Sequence, residues 1–324
     1  MSINKIVTKV DGIINKTINF NDLKSDLSAG SHTITVEAYN GATLVSTQTK
    51  NITVAAVSSY ESETTSYMNA IAIPDNTSAS AYSGKTNRDI WVIMDNYFKG
   101  LKTNSLLVKG VFDYPMIGGT AATNGVDALN PSNSLVWFGS WTHSINGSLG
   151  NGTNTYAKTG IIPSQTIMTD LAGGAFIASG TNNIPVGSDV YDMGAQNSAG
   201  SNLYSIRRNS GTDLTSGVVA KLYKEVLSPS PYYNALGIHG VNKNGGQVQL
   251  WRNAIKEGVT YASQEQRPTI ENYIGAANLA GSPYGYSNQR FQGVVLQGGL
   301  TDAQVTEWMN LIDARELALG RKTW

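Results

Sequence analysis

The chain has 324 residues, a length that suits one large β domain with a smaller companion. Lys and Arg together number 23, as do Asp and Glu, and this zero net charge argues against electrostatic binding to nucleic acid or to an anionic membrane. Cysteine is absent, which excludes disulfides, thiolate metal sites and cysteine nucleophiles. The 34 glycines favour many short strands joined by turns.

The sequence also lacks targeting signals. Residues 1–10 carry no apolar signal-peptide core. No apolar run approaches the ~20 residues of a membrane span. We therefore expect a soluble protein with no export signal and no membrane partner.

The first predicted elements are short strands. Ile6–Val10 and Lys16–Phe20 have strand-like composition, and residues 31–56 alternate between apolar and polar side chains. Asn40-Gly41 interrupts this alternation, and Thr43–Val54 follows. Asn-Gly between alternating segments predicts a β-hairpin, because both turn residues must accept positive φ.

Asp26–Val54 resembles the last two strands of immunoglobulin-like and fibronectin type III modules. Leu27, Gly30 and Ile34 fit that pattern, whereas His32 stands where the family usually has tyrosine. A complete sandwich of this type needs about 90–100 residues, more than residues 1–56 provide. We therefore expect either a reduced sheet or a partner chain that covers Ile6–Val10 or Thr43–Val54.

Residues 57–66 are small and polar, which predicts a linker before one domain over residues 67–324. A helix is predicted from Arg88 to Leu101, capped by Thr86 or Asn87, and Gly84-Lys85-Thr86 is interpreted as the turn before it. A long β region with Gly and Asn turns follows. Its predicted strands include Leu135–Phe138, Gly217–Leu222, Ala235–Val241, Val248–Arg252 and Phe291–Leu296.

A final helix is predicted after the last strand. Thr301 and Gln304 form a capping-box pattern, and Gly320 is placed to end the helix. Val305, Trp308 and Ile312 share one face at helical spacing. We expect this face to pack on the outside of a β-sandwich.

The order of several motifs resembles concanavalin A-like (LamG-like) jelly rolls of tailed-phage virion proteins, in particular those of crAss-like phages of gut bacteria. The resemblance rests on Asn87–Pro131, Tyr191–Ala195, Leu203–Arg208, Tyr273–Asn278, Tyr286–Arg290 and the GLTDAQ segment around Leu300. It implies an all-β protein, with a small Ig-like module followed by an antiparallel jelly-roll sandwich with two peripheral helices.

No catalytic or metal motif is complete. Glycoside hydrolysis needs two carboxylates across one sugar bond, and Asp313-x-x-Glu316 is interpreted instead as a solvated helix face. His143 and His239 are isolated and are predicted to be structural. A calcium loop at Asp189 and Asp192 is the weaker alternative to a plain polar loop. We therefore expect no enzyme, no metal and no cofactor.

Aromatic side chains in loops or at strand ends are the clearest functional candidates, because sugars stack on exposed aromatic rings. The candidate glycan-binding residues are Tyr232, Tyr233, Trp251, Tyr284 and Tyr286. The alternative is that these rings pack against neighbouring loops or chains.

These observations favour a bacteriophage virion structural protein, as a head fibre or capsid decoration that attaches to the host surface or its glycans. No shaft repeat is present, which argues against a long tail fibre. A tail fibre or receptor-binding adhesin is the alternative, and a polysaccharide-cleaving enzyme is the third and weakest. The expected partners are other virion proteins, bound through the N-terminal module, further copies of the chain and a host glycan. The expected location is the particle surface, after assembly in the host cytoplasm.

Overall fold

The computed structural model describes residues 5–10, 13–15, 30–40, 43–54, 60–181, 183, 190–198, 201–208, 218–222, 225–227, 236–245, 247–261 and 266–324. The chain divides into two compact units, Met1–Tyr60 and Glu61–Trp324. No helix among these residues is long and apolar enough to cross a bilayer.

The first unit contains one antiparallel sheet. Its strands are β1 (Lys5–Val10), β2 (Ile13–Asn15), β3 (Gly30–Asn40) and β4 (Thr43–Val54), in the order β2-β1-β3-β4. The predicted β3–β4 hairpin is confirmed, since Asn40 pairs with Thr43. The predicted strand at 16–20 lies outside the described residues. Because β1 pairs with both β2 and β3, only β4 of the two expected docking strands is an edge of the described sheet.

The second unit begins with a helix where a linker was predicted. Helix α1 (Ser62–Ala70) overlaps the second half of residues 57–66, so that part of the linker prediction is wrong. Long-range contacts explain the difference. The Glu61 backbone N–H and the Thr64 hydroxyl both donate to the Asp95 carboxylate, at 2.7 and 3.1 Å, and Tyr67 is fully buried.

The two long predicted helices are confirmed. Helix α2 (Asn87–Thr103) has Thr86 as its N-cap, in a capping box with Asp89. A four-residue helix, α3 (Ala121–Asn124), lies between it and the last helix, α4 (Asp302–Ala318). Helix α4 has the predicted Thr301–Gln304 capping box, and Gly320 beyond its end adopts φ +72°.

The strands of the second unit are short and mostly antiparallel, and all five predicted strands are present. They are β5 (Gly110–Tyr114), β6 (Val136–Phe138), β7 (Thr142–Ser144), β8 (Gly147–Leu149), β9 (Tyr156–Lys158), β10 (Ala172–Ser179), β11 (Val190–Ser198), β12 (Ser201–Arg208), β13 (Val218–Leu222), β14 (Glu225–Leu227), β15 (Gly237–Asn244), β16 (Gln247–Arg252), β17 (Ile255–Tyr261), β18 (Tyr273–Ile274), β19 (Ala277–Leu279), β20 (Ser282–Tyr284) and β21 (Arg290–Gln297).

These strands form two sheets. The first sheet has the order β17-β16-β15-β10-β21-β8-β7, with β5 also paired to β21. The second sheet has the order β14-β13-β12-β11-β18-β9-β6, and the β19–β20 hairpin joins it at β11. The predicted all-β sandwich is confirmed.

The main core lies between the two sheets. Ile177, Val294 and Leu296 of the first sheet cluster there with Ala157 and Ile274 of the second. Because successive strand residues point to opposite faces, their neighbours must point away from this core.

The helices cover the other face of the first sheet, as predicted. Phe176 of β10 packs edge-on against Trp308 of α4, with ring centroids 6.0 Å apart. Val305 and Ile312 are also buried. The central strands of the first sheet, β10 and β21, are therefore buried on both faces. On the second sheet, Val136 and Phe138 of β6 are exposed.

Candidate functional site

The predicted aromatic site does not form as one cluster. Tyr232 and Tyr233 lie outside the described residues. Trp251 belongs to the first sheet, whereas Tyr284 belongs to the hairpin that joins the second sheet. Tyr284 and Tyr286 are close together, because both contact Tyr191 of β11.

The structure contradicts the expected exposure of Trp251. Its side chain is only 4% exposed. Trp251 lies opposite Gly240 on the neighbouring strand, and a Cβ atom at Gly240 would meet the Met309 side chain of α4 at 2.5 Å. Cross-strand partners share one face of a sheet, so Trp251 lies on the face that α4 covers. Its indole N–H donates to Gln249 Oε1 at 3.3 Å, and we conclude that it is a packing residue.

Tyr284 remains accessible. It is 51% exposed, and its ring centroid lies 5.9 Å from that of the buried Tyr191. Tyr286 is half-buried. Of the predicted residues that the structure describes, Tyr284 alone presents most of a ring to solvent.

A second group of aromatic residues was missed from the sequence. Phe138 lies on β6, Tyr156 on β9 and Tyr273 on β18, three neighbouring strands of the second sheet. Ala157 and Ile274 point into the core, so the adjacent Tyr156 and Tyr273 point to the outer face. Phe138 pairs directly with Tyr156 and shares that face.

The three rings contact one another in a row. Phe138 and Tyr156 are stacked, with centroids 4.7 Å apart and planes 6° from parallel. Tyr156 and Tyr273 follow, with centroids 5.1 Å apart at 32°. We call this set, together with Lys158, the aromatic platform.

Lys158 places a positive charge beside these rings. Its Nζ lies 5.3 Å from the Phe138 centroid and 5.8 Å from that of Tyr273. Burial raises the pKa of Tyr273, and the Lys158 ammonium opposes this shift. The platform therefore combines apolar ring surface with a charged hydrogen-bond donor.

Exposure is graded across the platform. Phe138 is 36% exposed and its strand neighbour Val136 is 56% exposed, whereas Tyr273 is 3% exposed. Tyr156 and Lys158 are half-buried. The accessible part is thus formed by Phe138, Tyr156 and Lys158, and Tyr273 supports it from one side. In each of the short strands Val136–Phe138 and Tyr156–Lys158, the middle residue faces the core and the residues on either side of it face outward. This alternation was the sequence signal for the outer face.

Two tryptophans hold the platform strands in place from the core side. The Trp137 indole N–H donates to the Ala121 carbonyl at 2.8 Å, and that of Trp141 donates to the Tyr156 carbonyl at 3.3 Å. Trp141 also lies against Gly275, where a Cβ atom would meet the indole at 2.7 Å. These contacts fix the positions of β6, β9 and the end of β18.

His143 and His239 have structural surroundings. His143 Nδ1 lies 3.0 Å from Ser148 Oγ, and its ring packs edge-on against Trp137 at 4.6 Å. Burial lowers the pKa of His143, which favours the neutral ring. His239 is 4% exposed on β15.

The expectation that Asp313 and Glu316 form a solvated helix face is wrong for Glu316. Glu316 is fully buried and is paired with Arg315, at 3.0 Å, and with Arg321. Asp313, half-buried, accepts from Lys322 Nζ and the Trp324 indole, each at 2.8 Å. Tertiary ion pairs override the helical pattern here, and both carboxylates anchor the C-terminal segment.

A second pair of carboxylates is buried, Asp113 on β5 and Asp127 after it. Asp113 is fully buried and accepts from the Tyr97 hydroxyl at 2.6 Å. Asp127, 1% exposed, accepts from the Asp113 and Leu129 backbone N–H groups, each at 3.0 Å. Burial raises the pKa of both, that of Asp127 to about 7. Substrate cannot reach either group.

No group of three metal-ligating side chains occurs in the described part of the chain. Asp192, one of two residues considered for calcium, is buried and accepts from the Ser287 hydroxyl at 2.7 Å. Asp189, the other, lies outside the described residues.

No family model matches the chain, and no curated protein matches it. Among solved structures, domain 4 of AbnA, an extracellular arabinanase from Geobacillus stearothermophilus in complex with arabinotriose, is 9% identical. It has a TM-score of 0.41, with 62% of this chain and 98% of that chain covered.

Two sialidase structures are also similar. The CBM40 of the Ruminococcus gnavus IT-sialidase, bound to α2,3-sialyllactose, is 9% identical, with 54% of this chain and 94% of that chain covered and a TM-score of 0.38. The NanB sialidase of Streptococcus pneumoniae is 11% identical, with 49% of this chain and 26% of that chain covered and a TM-score of 0.37. The chain thus spans about a quarter of the NanB chain.

Proposed function

We propose that this chain is a non-catalytic glycan-binding protein displayed on a tailed-phage particle. The observation that carries the glycan-binding part is the aromatic platform on the outer face of the second sheet, where Phe138 and Tyr156 stack beside Lys158.

The platform has the properties that sugar binding requires. The C–H groups of a pyranose ring form an apolar surface that packs on aromatic rings, while nearby donors bind its hydroxyls. Phe138 lies on β6, the last strand in the sheet order, so a saccharide can approach it from beyond the sheet edge. Each such contact is weak, and many copies on one particle would raise the avidity.

Binding fits the platform better than hydrolysis. A glycosidase needs two carboxyl groups about 5–9.5 Å apart on either side of the bond. Glu271, two residues before Tyr273, is a carboxylate close to the platform. Glu271 Oε1 accepts from the Gly160 backbone N–H at 2.6 Å. We therefore propose that this face binds glycans without hydrolysing them.

The N-terminal sheet is the proposed attachment unit. Ser46, Thr47 and Gln48 on β4 are exposed, and these consecutive residues alternate between the two faces of the described sheet. A strand edge of this kind pairs readily with another chain. We propose that β4 docks on a capsid or fibre protein or on a second copy of the chain, as a head fibre or capsid decoration. A tail-fibre adhesin is the alternative.

The experiment is a glycan array probed with the purified chain and with a Phe138→Ala/Tyr156→Ala double variant. Binding by the wild type and its loss in the variant are expected. The control is Ile255→Ala, which removes a 68% exposed side chain of the first sheet. A reducing-sugar assay on the bound glycans should show no cleavage. If no glycan binds, or if the bound glycan is cleaved, the proposal is wrong.

A further inference from the structure

Lys158 differs from several other lysines of the second unit. Lys99, Lys102, Lys256 and Lys322 each lie within ion-pair distance of a carboxylate. The described contacts of Lys158 are with the rings of Phe138 and Tyr273 and with the hydroxyl of Tyr273. Within the described part of the chain, no carboxylate lies within ion-pair distance of its ammonium.

The position of Lys158 is also fixed by the fold. It pairs with Val136 on one side and with Tyr273 on the other, in the middle strand of the platform. Its side chain is half-buried among rings, which removes part of its hydration. A cation held in this way gains from an anionic ligand more than a fully hydrated lysine does, because less water must be displaced when the ion pair forms.

We propose that the platform selects acidic glycans, in which a sugar stacks on Phe138 and Tyr156 and its carboxylate or sulfate group pairs with Lys158. This inference rests on the proposed glycan-binding function and names the chemical class of its ligand. The rings supply contact with any pyranose, whereas the ammonium distinguishes a charged sugar from a neutral one.

Glu271 limits where the acidic group can bind. Its carboxylate accepts from the backbone N–H of Gly160, which lies two residues after Lys158. Glu271 itself lies two residues before Tyr273, the cross-strand partner of Lys158. The bond from the Gly160 N–H holds the carboxylate at the loop. A ligand anion should therefore meet Lys158 on its Phe138 side. Glu271→Gln keeps the acceptor for Gly160 and removes the repulsion, so it should strengthen binding.

The test compares immobilised glycans bearing uronate, sialate or sulfate with neutral counterparts of the same linkage. We expect the wild type to prefer acidic glycans and to lose affinity as salt rises. Lys158→Met should lower affinity for them about tenfold, as expected for loss of a charge-assisted contact. Lys158→Arg should retain the preference, and Glu271→Gln should bind at least as tightly as the wild type.

The outcomes separate the two proposals. If neutral glycans bind through Phe138 and Tyr156 as tightly as acidic ones, and Lys158→Met changes nothing, the acidic selectivity is wrong while glycan binding stands. If no glycan binds to a correctly folded protein, both are wrong. Thermal unfolding of each variant shows that a lost affinity does not come from misfolding.

Discussion

Phe138 and Tyr156 stack across the β6–β9 pair, with their ring centroids 4.7 Å apart and their planes within 6° of parallel. The pairing register imposes this contact, because Phe138 lies directly opposite Tyr156. Both residues adjoin core positions, so the packing that holds the two sheets together also orients the rings toward solvent.

The aromatic platform and the exposed Tyr284 ring of the β19–β20 hairpin can be tested separately. Phe138→Ala should weaken glycan binding by about 2- to 10-fold, as expected for an aromatic contact of about 0.5–1.5 kcal/mol. Tyr284→Ala removes a more exposed ring, 51% against 36% for Phe138, that lies against Tyr191 instead. Titration calorimetry with an array-identified glycan measures both. If Tyr284→Ala has the larger effect, the binding face lies at the β19–β20 hairpin.

Trp251 should behave as a core residue. Trp251→Ala removes a side chain that is 4% exposed, and it should lower the free energy of unfolding by about 3–5 kcal/mol. Affinity of the folded fraction for glycans should not change. Chemical denaturation followed by circular dichroism gives the first quantity. A variant of normal stability that binds glycan poorly would restore Trp251 to the binding site.

The hydroxyl of Tyr97 links three elements of the large unit. It donates to Asp113 Oδ2 at 2.6 Å and accepts from the Trp308 indole N–H at 2.9 Å. Tyr97→Phe leaves Asp113 and Trp308 buried without these two hydrogen bonds, and should lower the free energy of unfolding by about 1–3 kcal/mol. The matched control is Tyr284→Phe, whose ring is 51% exposed and which should change stability little. Equal effects in the two variants would contradict this role.

Asp127 should make stability depend on pH. Burial raises its pKa to about 7 in the folded protein, whereas the unfolded value is about 3.9. The native state therefore binds a proton more tightly than the unfolded chain does. Its contribution to stability is fully present below about pH 4 and is lost as the pH rises through about 7.

Asp127→Asn should remove this dependence. The amide oxygen can still accept from the Asp113 and Leu129 backbone N–H groups. Between pH 4 and pH 8, the free energy of unfolding of the variant should rise relative to that of the wild type by on the order of 2–4 kcal/mol. Denaturation curves of both proteins across this range give the difference. If the difference in unfolding free energy between the two proteins is the same at every pH in this range, Asp127 is ionised in the folded wild type throughout.

Local patterns in the sequence predicted several elements correctly. The alternation around Asn40 predicted the β3–β4 hairpin, and the Thr86 and Thr301 caps predicted the starts of α2 and α4. Each of these signals lies within a few residues of the chain, where hydrogen bonds and side-chain alternation act directly.

The errors concern contacts between distant segments. Exposure of Trp251 depends on which face of the sheet α4 covers, and the charge of Glu316 is neutralised by Arg321 beyond the helix end. Likewise, Tyr273 joins Phe138 and Tyr156 only because β18 pairs with β9. Strand order, which brings these residues together, is not encoded in local periodicity.

The most direct test of the account is the affinity of the wild type and of Phe138→Ala/Tyr156→Ala for one array-identified glycan. The account predicts measurable binding by the wild type, and a loss of at least about tenfold in the double variant at an unchanged fold. Wild-type affinity in a folded double variant would contradict the assignment of the aromatic platform as the glycan-binding site.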